Sequence, residues 1–385
     1  MSNNNHGKSG FAAMFSVAAV WFGTHVGGGF ATGNQTVQYF VGFGYTALFM
    51  PALIIILLGW CYYNGAVMAK NYKAFRYDEL ARYLYAPFSS AGKMFFDIAF
   101  FVLVVVGAGI AIAGGGKLFN SLWNMEFHLG CIITGAIFFV LTIFGAGLVR
   151  KASTVITIMI LICLVVLLIP GLFMGSAGLS EVVKNKLMFK AGEGGGVPAA
   201  IWNGLLYAGF QSLVVASIAS TSQPLDSRKK CVGFAVIGTI INGVMTALCA
   251  VMILGNFTAL QQLEDGMSLP IFNIARFVGN PVLLYSYSLI LFCAFVSTGV
   301  GVVFGLVARF ENVIFQSLDI GKRRIIISLV SIIVATLLSF AGLTKLIAVG
   351  YGWIGRICIF LLVIPLAIVA PIKNAKFKKE HPDIA

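Results

Sequence analysis

The stretch FGTHVGGGFATGN, residues 22–34, gathers five glycines, two threonines and a histidine into thirteen positions of a long apolar run. A glycine in a helix interior costs roughly 1 kcal/mol relative to alanine, so Gly27, Gly28 and Gly29 in succession predict an interrupted helix. In lipid an unpaired backbone group costs several kcal/mol, and unwound backbone persists only where it lines a cavity or holds a ligand. Such an interruption offers free N–H groups at the start of its second half and free C=O groups at the end of its first. The amides around Gly28, Gly29 and Phe30 therefore suit a carboxylate, and the carbonyls around Gly23 and Val26 suit a hard monovalent cation. Thr24 and His25 stand between the two. The competing use of such glycines is a small-residue packing face, in which His25, Asn34 and Gln35 would be costly passengers.

A second glycine-bearing stretch, WNGLLYAGFQS at 202–212, places Gly204, Gly209 and Gln211 mid-run. Read as a second interruption, it contributes Tyr207, Gly209, Phe210 and Gln211 to the same pocket; a glycine there by coincidence is the alternative. Trp21, Phe22, Tyr287 and Trp353 are weaker lining candidates, since aromatics in membrane helices serve more often as core or interface belt. Arg356, in GYGWIGRICIF, is the one basic residue inside an apolar run, and a charge there is expensive enough to suggest a function. Snorkelling to headgroups is its bland alternative. Asp97 sits where an acid favours a helix start and reads as structural. The run GAGIAIAGGG, 107–116, suits close packing against another helix.

These residues need helices to hold them. The chain is 59% hydrophobic and 10% charged, more apolar surface than one soluble core of 385 residues can bury, so it reads as an all-α polytopic membrane protein. Its +13 charge comes in short clusters between apolar runs, a topology signal and not a nucleic-acid surface. The seven cysteines lie in or beside apolar runs without CxxC or His spacing, which argues against disulfides and metal ligation. No cleavage site follows the first run, so it is expected to be a permanent span. At roughly 20 residues per crossing, ten transmembrane helices fit: 11–40, 45–69, 93–119, 128–147, 152–175, 198–221, 230–255, 280–308, 324–342 and 346–371. With both termini inside, nineteen of the 26 basic residues fall on the cytoplasmic side and only six outside, and the positive-inside rule requires that arrangement and an even span count. The 71–92 connection has an amphipathic pattern, expected to lie on the inner surface, and the 176–197 and 257–279 loops are long enough for short helices or lids.

Spans one and six open two successive sets of five, and interrupted helices at matching positions point to an inverted-repeat transporter. The domain reading is one integral unit, 1–385, with repeats at about 11–175 and 198–371. No phosphate loop, Ser/His/Asp set, HExxH helix or intramembrane carboxylate pair appears, so neither ATP hydrolysis nor another enzymatic activity is expected, nor an organic cofactor.

The GTHVGGGFATGN segment resembles the glycine-rich first helix of the YkvI-type amino-acid permeases, a bacterial branch of the amino acid–polyamine–organocation superfamily with the LeuT-type fold. The resemblance is specific at the first and eighth spans and architectural elsewhere. It implies a five-plus-five fold with broken helices 1 and 6, in which helices one, two, six and seven rock against three, four, eight and nine. It implies a sodium ion held by the carbonyls of Gly23, Val26 and Ala294 and the hydroxyls of Ser297 and Thr298 in LFCAFVSTGVGVVFG. The bland use of that hydroxyl pair is back-bonding to its own helix. The resemblance also implies that the outer part of helix ten closes an external gate, making Arg356 a gate candidate. Some relatives replace sodium with a lysine from the fifth span; here that span has no basic residue beyond Lys151 at its edge, which could snorkel inward. His25, with an ordinary pKa near 6.5, is a second proton candidate or a plain hydrogen-bonding residue. The function so implied is sodium-coupled symport of an amino acid or similar small zwitterion across a bacterial inner membrane. Proton coupling in the same fold, or a passive channel or membrane sensor, are the alternatives.

Overall fold

The computed structural model describes residues 5–189, 195–311, 314 and 316–382. Lys190 and the side chains of Lys8, Arg150, Lys151 and Arg309, all counted in the charge argument, lie outside the described residues. Every regular element among those described is helical.

Eight helices are long and apolar enough to cross a membrane: Met50–Tyr72, Ser89–Trp123, Phe127–Gly145, Ala152–Met174, Gly196–Thr221, Arg228–Gly255, Pro281–Val307 and Leu343–Glu380. Two further segments lie where the first and ninth of the ten expected spans would fall. The first is Asn5–His25, which ends at the expected interruption and is followed by the short helices Gly28–Ala31 and Asn34–Tyr39. The ninth is Ile320–Ser339, whose first turn carries Lys322, Arg323 and Arg324. The 71–92 connection holds a helix at Tyr77–Tyr85 that buries Leu80, Ala81 and Leu84 on one face. The two long loops carry short helices at Ser176–Asn185, Phe257–Gln261 and Pro270–Val278.

The sixth helix departs from the sequence reading. It runs unbroken from Gly196 to Gln211, tightens into one 3₁₀ turn at Ser212–Val214, and resumes at Val215–Thr221, with right-handed helical dihedrals at both junctions. Its glycines are explained by packing. A Cβ on Gly209 would lie 2.2 Å from the Gly355 carbonyl oxygen, and one on Gly355 would lie 2.4 Å from the Leu206 carbonyl oxygen. Gly204 faces Ile54 and Met50 of the second span in the same way.

Two groups of helices emerge from such contacts. Trp21 of the first span packs edge-on against Tyr62 of the second, ring centroids 4.8 Å apart, and takes the space a Cβ on Gly238 of the seventh would need. The glycine run of the third span meets three partners: Gly114 faces Phe295 of the eighth, Gly115 faces Thr134 of the fourth, and Gly109 faces the Ala335 carbonyl of the ninth. Close packing against other helices, as anticipated, is the use of this run. Phe295 is fully buried and is wedged between Gly114 and Gly28, whose added Cβ atoms would lie 2.3 and 2.5 Å from its ring. The first-span interruption is thus pinned directly on the eighth helix.

Candidate functional site

Val26 N–H donates to Phe22 O, the last rung of the first half-helix. The ladder restarts at Gly27 O, which accepts from both Phe30 and Ala31. Residues 26 and 27 are not helical, so the carbonyls of residues 23 to 26 are released from the α-helical ladder. Gly28 N–H donates instead to Thr298 Oγ1 of the eighth span, 3.2 Å away. The second half is itself broken at Gly33, whose φ of +83° is a left-handed conformation that glycine adopts without strain. Thr32 Oγ1 covers this turn by accepting from Asn34 N–H.

A cavity of about 140 Å³ opens at the interruption, below the 300–1,000 Å³ of sites for drug-sized ligands and suited to a small solute. Of the residues singled out in the sequence, Thr24, His25, Gly27, Gly28, Gly29, Phe210, Gln211 and Thr298 line it. Phe30 and Tyr207 stand behind the wall, fully buried, and Gly209 is spent on Gly355, so these three do not line the cavity. Gln35 and Tyr351 line it as well and were not singled out for this. The side-chain oxygen of Gln35 is buried without a hydrogen-bond partner, and its amide end occupies the space a Cβ on Gly29 would need.

Among the implied sodium ligands, Thr298 is at the interruption, while Ser297 Oγ pairs with Ser153 Oγ of the fifth span at 2.8 Å. Gly23 faces Thr157 of the same span. The released carbonyls and the hydroxyls of Thr298, Ser297, Ser153 and Thr157 are hard oxygen donors, the set a monovalent cation requires. Back-bonding, the bland alternative, describes neither Ser297 nor Thr298 here; it does describe Thr24, whose Oγ1 donates to Val20 O and Trp21 O.

His25 is buried and bonded at both ring nitrogens. Asn242 Nδ2 donates to Gly238 O, which leaves its Oδ1 to accept from His25 Nδ1–H at 2.6 Å. Nε2 then accepts from the Tyr207 hydroxyl, 2.5 Å away. One neutral tautomer thus satisfies all three groups and ties the first, sixth and seventh spans together.

The end of the bundle away from the chain termini is closed. Asn34 Nδ2 is shared among Met267 O at 2.8 Å, Thr344 Oγ1 at 2.9 Å and Ser268 O at 3.3 Å. Tyr287 OH donates to Ala31 O and Tyr39 OH to Ile347 O. Ser268 and Thr344 floor a vestibule of about 820 Å³, across which Lys117 pairs with Asp265 at 2.6 Å. Towards the basic end, Thr24 of the first span and Gly301 and Gly305 of the eighth are exposed. Arg356 makes none of these hydrogen bonds. Its guanidinium lies over the exposed Trp353 ring, 5.1 Å from the centroid, a cation–π contact facing outward, and no acidic partner joins it among the described residues. Trp21, Phe22 and Tyr287 are buried core and none of the four weaker aromatic candidates lines the cavity. Asp97 lies in a separate cleft between the third and eighth spans, with Phe101 and Phe310.

No family model matches the chain. It is 24% identical over 362 residues to the uncharacterized membrane protein YkvI of Bacillus subtilis (strain 168), covering 92% of this chain and 96% of that one. Among solved structures it is similar to MhsT in complex with L-phenylalanine, with a TM-score of 0.58 and 16% identity over 94% of this chain and 97% of that one. It is also similar to Mhp1 in an inward-facing conformation, with a TM-score of 0.55 and 17% identity, covering 87% and 75%. A substrate-bound, outward-open Na⁺-coupled sialic acid symporter gives 0.54 and 13%, covering 94% and 98%. The chain has the LeuT-type fold. That fold is found in secondary transporters.

Proposed function

We propose that the protein is a sodium-coupled symporter of a small zwitterion of the amino-acid class, working by alternating access within one integral unit of two repeats, 11–175 and 198–371. The observation that carries this reading is the first-span interruption. There Gly28, whose N–H is held by Thr298 Oγ1, Gly29 and Gln35, whose side-chain oxygen has no partner, line one small cavity, next to the released carbonyls of the first half-helix. A carboxylate is complementary to the amide end, and an ammonium group to the Gln35 oxygen. The apolar remainder of the lining, Leu103, Ile110, Phe210 and Val302, favours a small uncharged side chain. Sodium would be held by oxygens from the Gly23, Val26 and Ala294 carbonyls and the Ser297 and Thr298 hydroxyls, on the fifth-span side of the same interruption. Binding of each ligand then raises the affinity of the other by the same factor. This ion role is supported by the donor chemistry and by the sodium coupling of one neighbour of the same fold.

With the termini on the cytoplasmic side of a bacterial inner membrane, closure at the far end and exposure of Thr24, Gly301 and Gly305 correspond to an inward-facing arrangement. The test is thermal stabilisation of the purified protein by an amino-acid panel in sodium and in choline, for wild type and Ser297→Ala/Thr298→Ala. A ligand shift that needs sodium and vanishes in the double variant supports the assignment. A shift indifferent to sodium but dependent on pH and His25 would replace it with proton coupling, and no shift for any amino acid would sink it.

A further inference from the structure

Two cavities outside the transport site share a wall. One, of about 390 Å³, lies at the basic end between the second span, the start of the seventh and the end of the tenth, and is lined by Lys70, Arg228, Lys378 and Lys379 with no acidic residue. The other, of about 480 Å³, is an apolar trough on the bundle's flank between the second and seventh spans, lined by Ile56, Val232, Val236 and Ile240, all of them exposed. Trp60, Tyr63 and Arg228 line both. The trough exists because the two helices approach closely at Gly59, where a Cβ would lie 2.0 Å from Thr239 Oγ1.

Arg228 is positioned: its Nε donates to Tyr63 OH at 2.7 Å, which holds the guanidinium at the junction of the two cavities. Among the described residues Arg228, Lys378 and Lys379 form no ion pair, while Asp226 pairs with Lys230 at 2.6 Å and Glu380 with Lys376 at 3.7 Å. Asn71 adds an independent feature. It lines the basic cavity, is 9% exposed, and its side-chain oxygen is buried without a hydrogen-bond partner, although its Nδ2 donates to Asn374 Oδ1. A buried acceptor left open beside clustered cations calls for a ligand that is anionic and also carries a hydroxyl donor.

The geometry points to a binding site for one anionic phospholipid of the phosphatidylglycerol type. Its phosphate meets Arg228, Lys378 and Lys379, a headgroup hydroxyl donates to Asn71 Oδ1, and an acyl chain lies in the trough past Trp60. Basic pockets between membrane helices recognise anionic headgroups in this way, an arginine fork matches phosphate geometry, and the indole and phenol at the waist suit the interface between headgroup and chain. The site is distinct from the transport cavity and does not depend on what is transported.

The test is native mass spectrometry of the detergent-purified full-length protein given equal phosphatidylglycerol and phosphatidylcholine, without sodium or amino acid, so that its result is separate from the transport reading. Phosphatidylglycerol should be retained at least tenfold over phosphatidylcholine. Arg228→Gln/Lys378→Gln should weaken retention about thirty-fold, at about 1 kcal/mol per basic residue near the surface, while Lys345→Gln at the far end changes nothing. Val236→Trp, which fills the trough at an exposed position, should lower retention with every charge in place, and separates loss of the site from loss of folding. Soluble glycerol phosphate should not displace the lipid. Equal retention of the two lipids, retention unchanged in the double variant, no retained lipid, or displacement by glycerol phosphate would each overturn the assignment.

Discussion

The group of three joining His25, Asn242 and Tyr207 makes the most quantitative prediction. Replacing His25 by Phe keeps a ring in the space but strands Asn242 Oδ1 and the Tyr207 hydroxyl, in a place where both residues are fully buried. Each stranded group costs about 1–3 kcal/mol in a buried site, so the variant should lose about 2–6 kcal/mol. Tyr207→Phe strands only His25 Nε2 and should lose about 1–3 kcal/mol. The double variant strands Asn242 Oδ1 alone, so its loss returns to about 1–3 kcal/mol and falls short of the sum of the single changes. Hydrogen bonds within membranes average about 0.6 kcal/mol in such cycles, because the unfolded chain in the membrane also finds partners. That places a floor near about 1 kcal/mol under the two bonds of His25. Reversible unfolding in mixed detergent micelles, monitored by helical circular dichroism for the four proteins, measures the cycle. Strict additivity, or a His25→Phe variant as stable as wild type, would refute the bonded arrangement.

Gly28→Ala should cost about 1–3 kcal/mol by overpacking, because its Cβ would meet Phe295, which Gly114 blocks from retreating; Phe295→Leu should restore much of the loss in the same unfolding assay. Asn34→Ala removes the shared donor that closes the far end, whose bonds are worth about 0.5–1.5 kcal/mol each. Spin-label distances between positions 124 and 345 across the vestibule should then lengthen, and unchanged distances would count against Asn34 as the closing element. Glu126 caps the fourth span, and bonds from the backbone N–H and side chain of His128 and from Leu129 N–H hold its pKa down at about 2. A lowered folded-state pKa contributes stability above the ordinary value of 4.5 and loses it as the pH falls towards 2. Glu126→Ala should therefore lower Tm at pH 6, with the gap narrowing below pH 4.

Gly27 to Gly29 could be read as an interruption because His25, Asn34 and Gln35 beside them would be costly passengers in a packing face; succession alone does not decide it, since Gly114, Gly115 and Gly116 stay within the unbroken third helix. The glycines of the sixth span could not be read the same way. A single glycine has the same signature whether it breaks a helix or lets another backbone approach, and the deciding partner, Gly355, lies far along the chain. The outward setting of Arg356 was closer to hand, since Trp353 precedes it by one helical turn. His25 was legible as a hydrogen-bonding residue in lipid, but its partners were not, because Tyr207 and Asn242 come from distant spans. Asn34 and Gln35 carried a usable signal: buried amides beside an interruption need partners, and the Asn34 Nδ2 finds them in the closure while Gln35 lines the cavity with its oxygen unpartnered. The ninth span was legible as an apolar run from 324, and the three basic residues in its first turn mark its cytoplasmic end.

Uptake of a labelled amino-acid panel into proteoliposomes holding the purified protein tests the central claim most directly, with an inward sodium gradient or with choline in its place, for wild type and Thr298→Ala. The account predicts saturable accumulation of at least one small zwitterion that collapses in choline and falls at least tenfold in the variant. Uptake that is the same in choline, untouched by Thr298→Ala, or linear and unsaturable for every solute would contradict it.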